Sequence, residues 1–198
     1  KMKSREGTVV DADDLMQEMY ETAKQKAQEL GKLDNLSETD REKLYETVGI
    51  GALKYFMLKV DPKKKMLFDP AKSVDFEGNT GPFIQYTYAR IQSLLSKAEN
   101  FENFSPDIQL NSYEKDLISA LSNYREIVAK AAQTLSPALV ANYVYDLVKT
   151  YNSFYQNNPV LNQADSSIKN FRLHLSELTG KVIRKSLELL GIGVVDRM

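Results

Sequence analysis

One uninterrupted stretch, TGPFIQYTYARIQSLLSKA, runs from Thr80 to Ala98 and is the strongest indication of the fold class. Thr80 is a residue type that caps the start of a helix, and Pro82 follows in the first turn, where proline is tolerated. No later proline or glycine interrupts the stretch. At about 100° per residue, its mainly apolar side chains cluster around one direction. They are Ile84, Thr87, Tyr88, Ile91, Leu94 and Leu95. The stretch is therefore predicted to be an amphipathic helix with this face in a core.

A second face of the predicted helix carries Tyr86 and Arg90, which are four residues apart, with Phe83 on the same flank. An aromatic ring beside a guanidinium can stack on an unstacked base and hold its phosphate, as in the recognition of single-stranded RNA loops. The spacing also fits side chains that only cover the rim of a helical bundle. From spacing alone, this second interpretation is favoured.

The same start and stop signals predict helices along most of the chain. The first two further helices are predicted from Asp11 or Asp13 to Gly31, and from a capping box of Thr39 and Glu42 to Pro62. A capping box of Asn111 and Glu114 begins a stretch that reaches Leu135 as one long helix or as two with a bend. The last two are predicted from Ser136 and Pro137 to Tyr155, and from about Ala164 to Leu190. No β-hairpin signal or βαβ alternation appears after residue 11. The predicted fold class is all-α, a helical bundle.

Two features between these helices carry structural expectations. Gly49 and Gly51 lie inside the second predicted helix, where each glycine costs about 1 kcal/mol relative to alanine, so we expect another backbone to approach closely. The segment from Asp61 to Gly81 contains two prolines, two glycines and short apolar islands. We expect an ordered loop whose apolar residues dock on the bundle.

Composition excludes several classes of site. The 198 residues contain no cysteine, which removes disulfides, thiolate metal sites and cysteine nucleophiles and fits a reducing, cytoplasmic compartment. The single histidine, His174, lies in a predicted helix and is expected to be a partly buried or surface residue. No apolar run is long enough to span a membrane, and no export leader is indicated. No metal cluster or catalytic base stands at a usable spacing.

Basic residues are concentrated locally, although the net charge is −1 and the pI is about 6.0. Contact with nucleic acid would therefore have to be local. The opening KMKSREG, from Lys1 to Gly7, contains three basic side chains that could bind phosphate. The run of Lys63, Lys64 and Lys65 could do the same, although a solvated charge run is the favoured interpretation.

Several stretches together resemble the arginyl-tRNA synthetases, a family of class I aminoacyl-tRNA ligases. FEGNTGPFIQYTYARI, from Phe76 to Ile91, is similar to the family signature that leads into its anticodon-binding domain. GALKYFML, LVANYVYDLVKTYNSFY and the terminal LLGIGVVDRM support the resemblance and occur in the family's order. KMKSREGTVV resembles the KMSKS loop of class I enzymes, except that Lys3 stands where serine is common.

The resemblance implies an all-α helical bundle of the class I aminoacyl-tRNA synthetase anticodon-binding type. It assigns residues 1–40 to the end of a catalytic domain, with the KMSKS-like loop and the following helix, and residues 41–198 to a helical anticodon-binding domain. The implied function is the tRNA anticodon-binding portion of an arginine-tRNA ligase. Because the HIGH motif and the nucleotide-binding fold of that family are not found, the chain is expected to be a fragment that is inactive alone.

The resemblance also implies particular site residues. Contacts to ATP phosphates are implied for Lys1, Met2, Lys3, Ser4 and Arg5. Contacts to the anticodon arm are implied for Asp75, Phe76, Glu77, Gly78, Asn79, Thr80, Phe83, Tyr86, Arg90, Tyr155 and Met198. Phe83 stands where the family often has tyrosine, so stacking is expected there without a hydroxyl hydrogen bond.

The implied partner is arginine tRNA, and the full enzyme is expected to use ATP and magnesium and to be a monomer. No cofactor or metal is expected in the fragment, and neither a membrane nor DNA is expected as a partner. An alternative from another class is a helical protein-interaction module, in which the flank around Tyr86 and Arg90 receives a partner helix. RNA binding should weaken steeply with salt, whereas binding in a hydrophobic groove should not.

Overall fold

The computed structural model describes residues 11–30, 36–61, 63–64, 69–98, 101–104 and 107–198. Within these residues the regular structure is α-helical, and no strand is present. The helices are α1 (Ala12–Leu30), α2 (Glu38–Leu58), α3 (Pro70–Ser73), α4 (Gly81–Ser96), α5 (Ser112–Ser122), α6 (Tyr124–Thr134), α7 (Pro137–Asn157) and α8 (Ser166–Leu189). The predicted all-α bundle is confirmed. None of the described helices has both the length and the apolar character needed to cross a membrane.

The larger of two hydrophobic cores lies among α4, α5, α6, α7 and α8, and Tyr55 of α2 reaches into it. The predicted core face of α4 is confirmed, because Ile84, Tyr88 and Ile91 belong to this core. Leu95 from the same predicted face is only partly buried. The core therefore fixes the rotation of α4 and leaves its opposite flank, with Tyr86 and Arg90, only half-buried.

The smaller core joins α1 to α2. Met19 and Ala23 of α1 are buried against Leu44, Val48 and further apolar residues of α2. The C-terminal segment connects the two cores, because Ile192 belongs to the larger one whereas Val195 and Met198 pack against the smaller one. The chain end is therefore held beside α1, α2 and α4.

Gln85 is a buried polar residue that the sequence pattern did not predict. Its side chain is completely buried, and its Nε2 donates to the carbonyl of Thr47 at 3.1 Å and to that of Gly193 at 2.8 Å. These two bonds tie α4 to α2 and to the C-terminal segment. Both donors of the buried amide are thus satisfied, whereas its Oε1 has no hydrogen-bond partner among the described residues.

The helix starts were predicted with mixed success. The cap at Thr80 is confirmed, since its side chain accepts from the N–H of Phe83. The capping box of Asn111 and Glu114 is also confirmed, and the helix that follows divides into α5 and α6. The predicted box of Thr39 and Glu42 is wrong. Ser37 caps α2 instead and accepts from the N–H of Asp40, so the helix begins earlier.

The expectation of a close backbone approach at Gly49 is confirmed. A Cβ atom at this position would lie 2.6 Å from the carbonyl oxygen of Met19 in α1. A Cβ atom at Gly51 would lie 2.6 Å from the side-chain amide nitrogen of Gln85. The backbone of Gly51 in turn lies close to Gly81 of α4. Small residues on α2 thus let α1 and α4 pack on it at short range.

Candidate nucleic-acid interface

The loop before α4 is held in one shape by contacts from α2. Gly78 has a φ of 79°, in the left-handed region that glycine adopts without steric cost. The Lys59 amine donates to the backbone carbonyl of Asn79 at 2.6 Å. The hydroxyl of Tyr55 lies 2.6 Å from Asn79 Oδ1 and 3.0 Å from the Ala141 carbonyl of α7. These contacts place the loop relative to α2, α4 and α7.

Burial changes the acid–base behaviour of the two groups that hold the loop. It raises the pKa of Tyr55 far above the ordinary value, and nearby Tyr145 and Asp146 add to the rise. The phenol therefore stays protonated and remains a donor. Burial also lowers the pKa of the Lys59 amine.

Arg90 of α4 lies between two tyrosine rings. Its guanidinium carbon is 5.0 Å from the ring centre of Tyr86 and 5.9 Å from that of Tyr155 on α7. Phe76 of the loop meets Tyr86 edge-on, with ring centres 6.1 Å apart. On the other side, Tyr155 stacks on the buried Tyr151. The result is a continuous row of rings from the loop to α7, with one cation inside it.

The cation of Arg90 is not neutralised by a carboxylate among the described residues. Its hydrogen-bond partner there is an amide, since Arg90 Nη1 donates to Asn152 Oδ1 at 3.3 Å. Arginine has five N–H donors in a planar fork. Most of them are therefore left for another acceptor, and phosphate or a base edge fits the fork.

Two cavities lie on either side of Tyr86 and Arg90. The first has a volume of about 330 Å³ and a mainly apolar lining, and its walls are Ala23, Ala27, Leu44, Tyr45, Val48, Phe76, Glu77, Tyr86, Arg90 and Met198. The second has a volume of about 350 Å³ and is lined by Leu36, Tyr86, Ala89, Arg90, Ser93, Asp196, Arg197 and Met198. The row of rings therefore stands beside apolar space on one side and more polar space on the other.

Five of the residues implied by the resemblance come together, and we call this group the Arg90 surface. It consists of Phe76, Tyr86, Arg90, Tyr155 and Met198. Glu77 lies at the mouth of the first cavity. Such a surface can stack on a flat unsaturated ring and hold a negative group beside it.

The other predicted residues lie close by without lining either of these two cavities. Asp75, Gly78, Asn79 and Thr80 shape the loop, where the Thr80 hydroxyl bonds to the Asp75 carbonyl. Phe83 lies one turn before the Arg90 surface and packs against Tyr145, at 5.9 Å between ring centres. The residues Lys1, Met2, Lys3, Ser4 and Arg5 lie outside the described part of the chain, as does Lys65. Lys63 and Lys64 are exposed.

Sequence reasoning missed two parts of this site. It did not find Asn152, although this residue precedes Tyr155 by three positions and such residues share one side of a helix. It also did not find the cavity wall from α1 and α2, which includes Ala23 and Leu44. Nothing in the local sequence indicates that these helices approach α4 at that point.

Other candidate chemistry is not supported in the described part of the chain. No group of three or more histidine or acidic side chains there could hold a metal ion. His174 of α8 lies near the backbone carbonyl of Glu102 and packs against the rings of Phe101 and Phe104. The side chain is partly buried, as expected.

Two family models match the chain. The model described as the DALR anticodon binding domain matches residues 84–198, and the model described as the catalytic domain of class I (R) tRNA synthetases matches residues 1–69. The second match includes α1 and α2. The DALR match begins at Ile84 inside α4 and includes the rest of the chain through α8, but not the loop with Phe76.

Curated relatives resemble the chain along its whole length. An arginine-tRNA ligase of Flavobacterium psychrophilum is 56% identical over 198 residues, which are 100% of this chain and 33% of the relative. An arginine-tRNA ligase of Parabacteroides distasonis is 52% identical over 203 residues, covering 100% of this chain and 34% of the relative. The chain thus spans about a third of the length of these relatives.

Solved structures show the same arrangement of helices. An arginyl-tRNA synthetase of Thermus thermophilus matches 97% of this chain and 33% of its own, with 30% identity and a TM-score of 0.89. One from Plasmodium falciparum matches 96% of this chain and 34% of its own, with 26% identity and a TM-score of 0.83. The predicted resemblance to arginyl-tRNA synthetases is confirmed. Since the DALR match covers more than half of the 198 residues, the chain belongs to the family of the DALR anticodon binding domain.

Proposed function

We propose that this chain is the tRNA-binding portion of an arginine-tRNA ligase and that the Arg90 surface receives the anticodon arm. The observation that carries the proposal is the position of Arg90, which is stacked between Tyr86 and Tyr155 without a carboxylate partner among the described residues. This cation stands at the wall of an apolar cavity of about 330 Å³. Single-stranded RNA is recognised by such combinations of rings and cations.

In this proposal an unstacked base enters the cavity beside Tyr86 and Met198, while Arg90 contacts the backbone or a base edge. Phe76 supports the ring of Tyr86 from the loop side. The loop from Asp75 to Thr80 presents Glu77 and the open Gly78 toward the arm. Around Gly78 no heavy atom lies within 4 Å of the position a Cβ would take, so a backbone can approach closely there.

The whole protein in this proposal activates arginine with ATP and transfers it to tRNA, as a magnesium-dependent, monomeric enzyme of the cytoplasm. The names of the relatives support the ligase activity, as does the match of residues 1–69 to a catalytic-domain model. The five residues from Lys1 to Arg5 would contact the ATP phosphates. They lie outside the described residues.

The direct test uses Tyr86→Ala and Arg90→Ala in the full-length ligase. Loss of stacking on one base costs about 1–3 kcal/mol, so Tyr86→Ala should raise the dissociation constant for arginine tRNA about 5- to 150-fold. Arg90→Ala should weaken binding as well and reduce the slope of log affinity against log salt by about 0.7–1. Melting temperatures report whether the fold is intact.

Matched controls are Tyr113→Ala on α5 and Arg125→Ala on α6, which remove exposed side chains of the same types. Both control variants should bind tRNA like the wild type. Wild-type charging and binding by both Tyr86→Ala and Arg90→Ala would refute the assignment.

A second measurement separates RNA binding from capture of a partner helix. Binding of arginine tRNA to the wild-type protein should fall steeply with added salt and should weaken when the anticodon is changed. Salt-insensitive binding that ignores the anticodon would contradict the proposal.

A further inference from the structure

Asn152 of α7 connects Arg90 to the interior of the bundle. Its Oδ1 accepts from Arg90 Nη1, and its Nδ2 donates to the hydroxyl of Thr87, with both distances at 3.3 Å. Thr87 is 1% exposed, so the amide is anchored on a group that is fixed by packing. A helix that faces α4 thus provides the hydrogen-bond partner of the Arg90 guanidinium.

The hydrogen bonds determine which way the amide points. The Thr87 hydroxyl donates its one hydrogen to the carbonyl of Phe83 at 3.1 Å. Toward Asn152 this hydroxyl can only accept, and therefore the NH₂ group of the amide must face Thr87. The amide oxygen is then left to face Arg90.

Stacking alone does not orient a guanidinium. A planar group between the rings of Tyr86 and Tyr155 can still turn within its own plane. One hydrogen bond from Nη1 to a fixed oxygen stops this rotation. The remaining N–H donors then point in defined directions.

The amide of Asn152 is neutral, so it does not compensate the positive charge of Arg90. An aspartate at position 152 would hold the guanidinium more tightly through a charge-assisted pair, but it would also compensate its charge. An amide orients the group and leaves the positive charge available to an anion.

We propose that Asn152 is a positioning residue, which orients Arg90 for contact with the RNA backbone while leaving its charge uncompensated. This inference rests on the proposed function of the Arg90 surface. It extends that function by a residue on α7 that contacts no RNA and acts through Arg90.

The test measures binding of arginine tRNA to the full-length ligase at several salt concentrations, together with melting temperatures. In Asn152→Asp the Thr87 hydroxyl must turn from the Phe83 carbonyl to donate to the carboxylate, while Arg90 gains a charge-assisted partner. This variant should melt close to the wild type, weaken tRNA binding about tenfold and reduce the salt slope by about 0.7–1. Thr87→Val should also weaken binding, because the amide loses the acceptor that orients it. Thr87→Ser keeps the hydroxyl and should bind like the wild type.

The control for added charge is Gln156→Glu, which places a carboxylate at an exposed position of the same helix. It should change binding much less than Asn152→Asp does. In an Arg90→Ala background, Asn152→Asp should add no further loss, since its effect passes through Arg90.

Each outcome decides between the two proposals. If Arg90→Ala weakens binding but Asn152→Asp does not, the positioning role is wrong and the proposed function stands. Additive losses in the double variant, or losses that only follow a lowered melting temperature, would also overturn the positioning role. If Arg90→Ala itself binds like the wild type, both proposals fail.

Discussion

Leu135, in the turn between α6 and α7, has an unfavourable backbone conformation for its residue type. Its φ is 51° and its ψ is 39°, in the left-handed region that glycine adopts freely. The conformation closes the end of α6, because the N–H of Ser136 donates to the carbonyl of Ala131 at 3.0 Å. The leucine side chain is 87% exposed and contributes little packing in return.

Replacing this leucine by glycine should therefore stabilise the protein. Relief of the left-handed strain is partly offset by the greater entropy of glycine in the unfolded chain, so we expect Leu135→Gly to raise the free energy of unfolding by about 0.5–1 kcal/mol. Urea denaturation measures this change. Leu135→Ala is the matched control, because it removes the same exposed side chain but keeps Cβ. A glycine variant less stable than the alanine variant would contradict the argument.

At the residue scale, the sequence predicted those site residues whose relation is local. Tyr86 and Arg90 are neighbours because they are four residues apart on one helix, and the guanidinium carbon of Arg90 lies 5.0 Å from the ring centre of Tyr86. Whether Tyr155 lies near Arg90 depends on how α4 and α7 cross, and only the family resemblance indicated it. Asn152 stands three positions before Tyr155, but a single amide among tyrosines is typical of any partly exposed helix and does not by itself indicate a site.

Three elements are held together by one buried ion pair. The Nε of Arg172 on α8 lies 2.8 Å from Oε1 of Glu114 on α5, and both side chains are almost fully buried. Oε2 of the same carboxylate accepts from the N–H of Asn111, which completes the capping box. Arg172 Nη1 also donates to the carbonyl of Pro159, in the segment between α7 and α8.

Removing one partner of this pair should be much more harmful than removing both. Glu114→Leu leaves a buried guanidinium without its carboxylate and should lower the free energy of unfolding by about 3–5 kcal/mol. The double variant Glu114→Leu with Arg172→Leu should lose less than the sum of the two single variants. Chemical denaturation of all four proteins gives the coupling energy, and additive losses would show that the pair is not coupled.

Contact between α1 and α2 should depend on the absence of a side chain at position 49. Gly49→Ala would place Cβ 2.6 Å from the backbone oxygen of Met19, and a backbone atom cannot turn aside as a side chain can. We expect α1 to shift or detach, with faster amide exchange at Met19 and Ala23. Gly180→Ala is the comparison, since its Cβ would lie 3.1 Å from a methyl group of Ile91. Unchanged exchange in α1 of the Gly49→Ala variant would refute this expectation.

Element boundaries were predictable where a second signal accompanied the capping residue. Pro82 follows Thr80 and Glu114 follows Asn111, and both Thr80 and Asn111 cap the predicted helices. At the start of α2, Ser37 and Thr39 each have an acidic residue three positions later, so the local pattern does not decide between them, and the structure uses Ser37, which bonds to Asp40. The separation of α5 from α6 at Asn123 could not be located, because the apolar pattern continues across it without proline or glycine.

At the scale of the whole molecule, the sequence predicted one helical bundle and did not predict two cores. Both cores contain residues of α2, and apolar periodicity does not show how one helix divides its faces between them. The path of the C-terminal segment was equally hidden. It depends on long-range contacts such as Gln85 with Gly193, which no local pattern records.

Buried tyrosines should make the whole molecule sensitive to alkaline pH. Burial raises the pKa of Tyr55 and of Tyr151, and it raises the pKa of Tyr143 from 10.0 to about 12. Near pH 10 these phenols ionise in the unfolded chain but stay protonated in the folded one. The unfolded state then binds fewer protons, so the free energy of unfolding must fall as the pH rises.

The loss of stability should begin near pH 10 and continue toward pH 12, while the contribution of these groups is fully present below pH 10. Each proton released only on unfolding lowers the free energy of unfolding by about 1.4 kcal/mol per pH unit. Urea denaturation between pH 8 and pH 12 measures the slope. Tyr143→Phe cannot ionise and should make the slope shallower, whereas Tyr113→Phe, at an exposed position on α5, should leave it unchanged. Equal slopes in wild type and Tyr143→Phe would refute this account, because ionisation of Tyr143 would then have no effect on the free energy of unfolding.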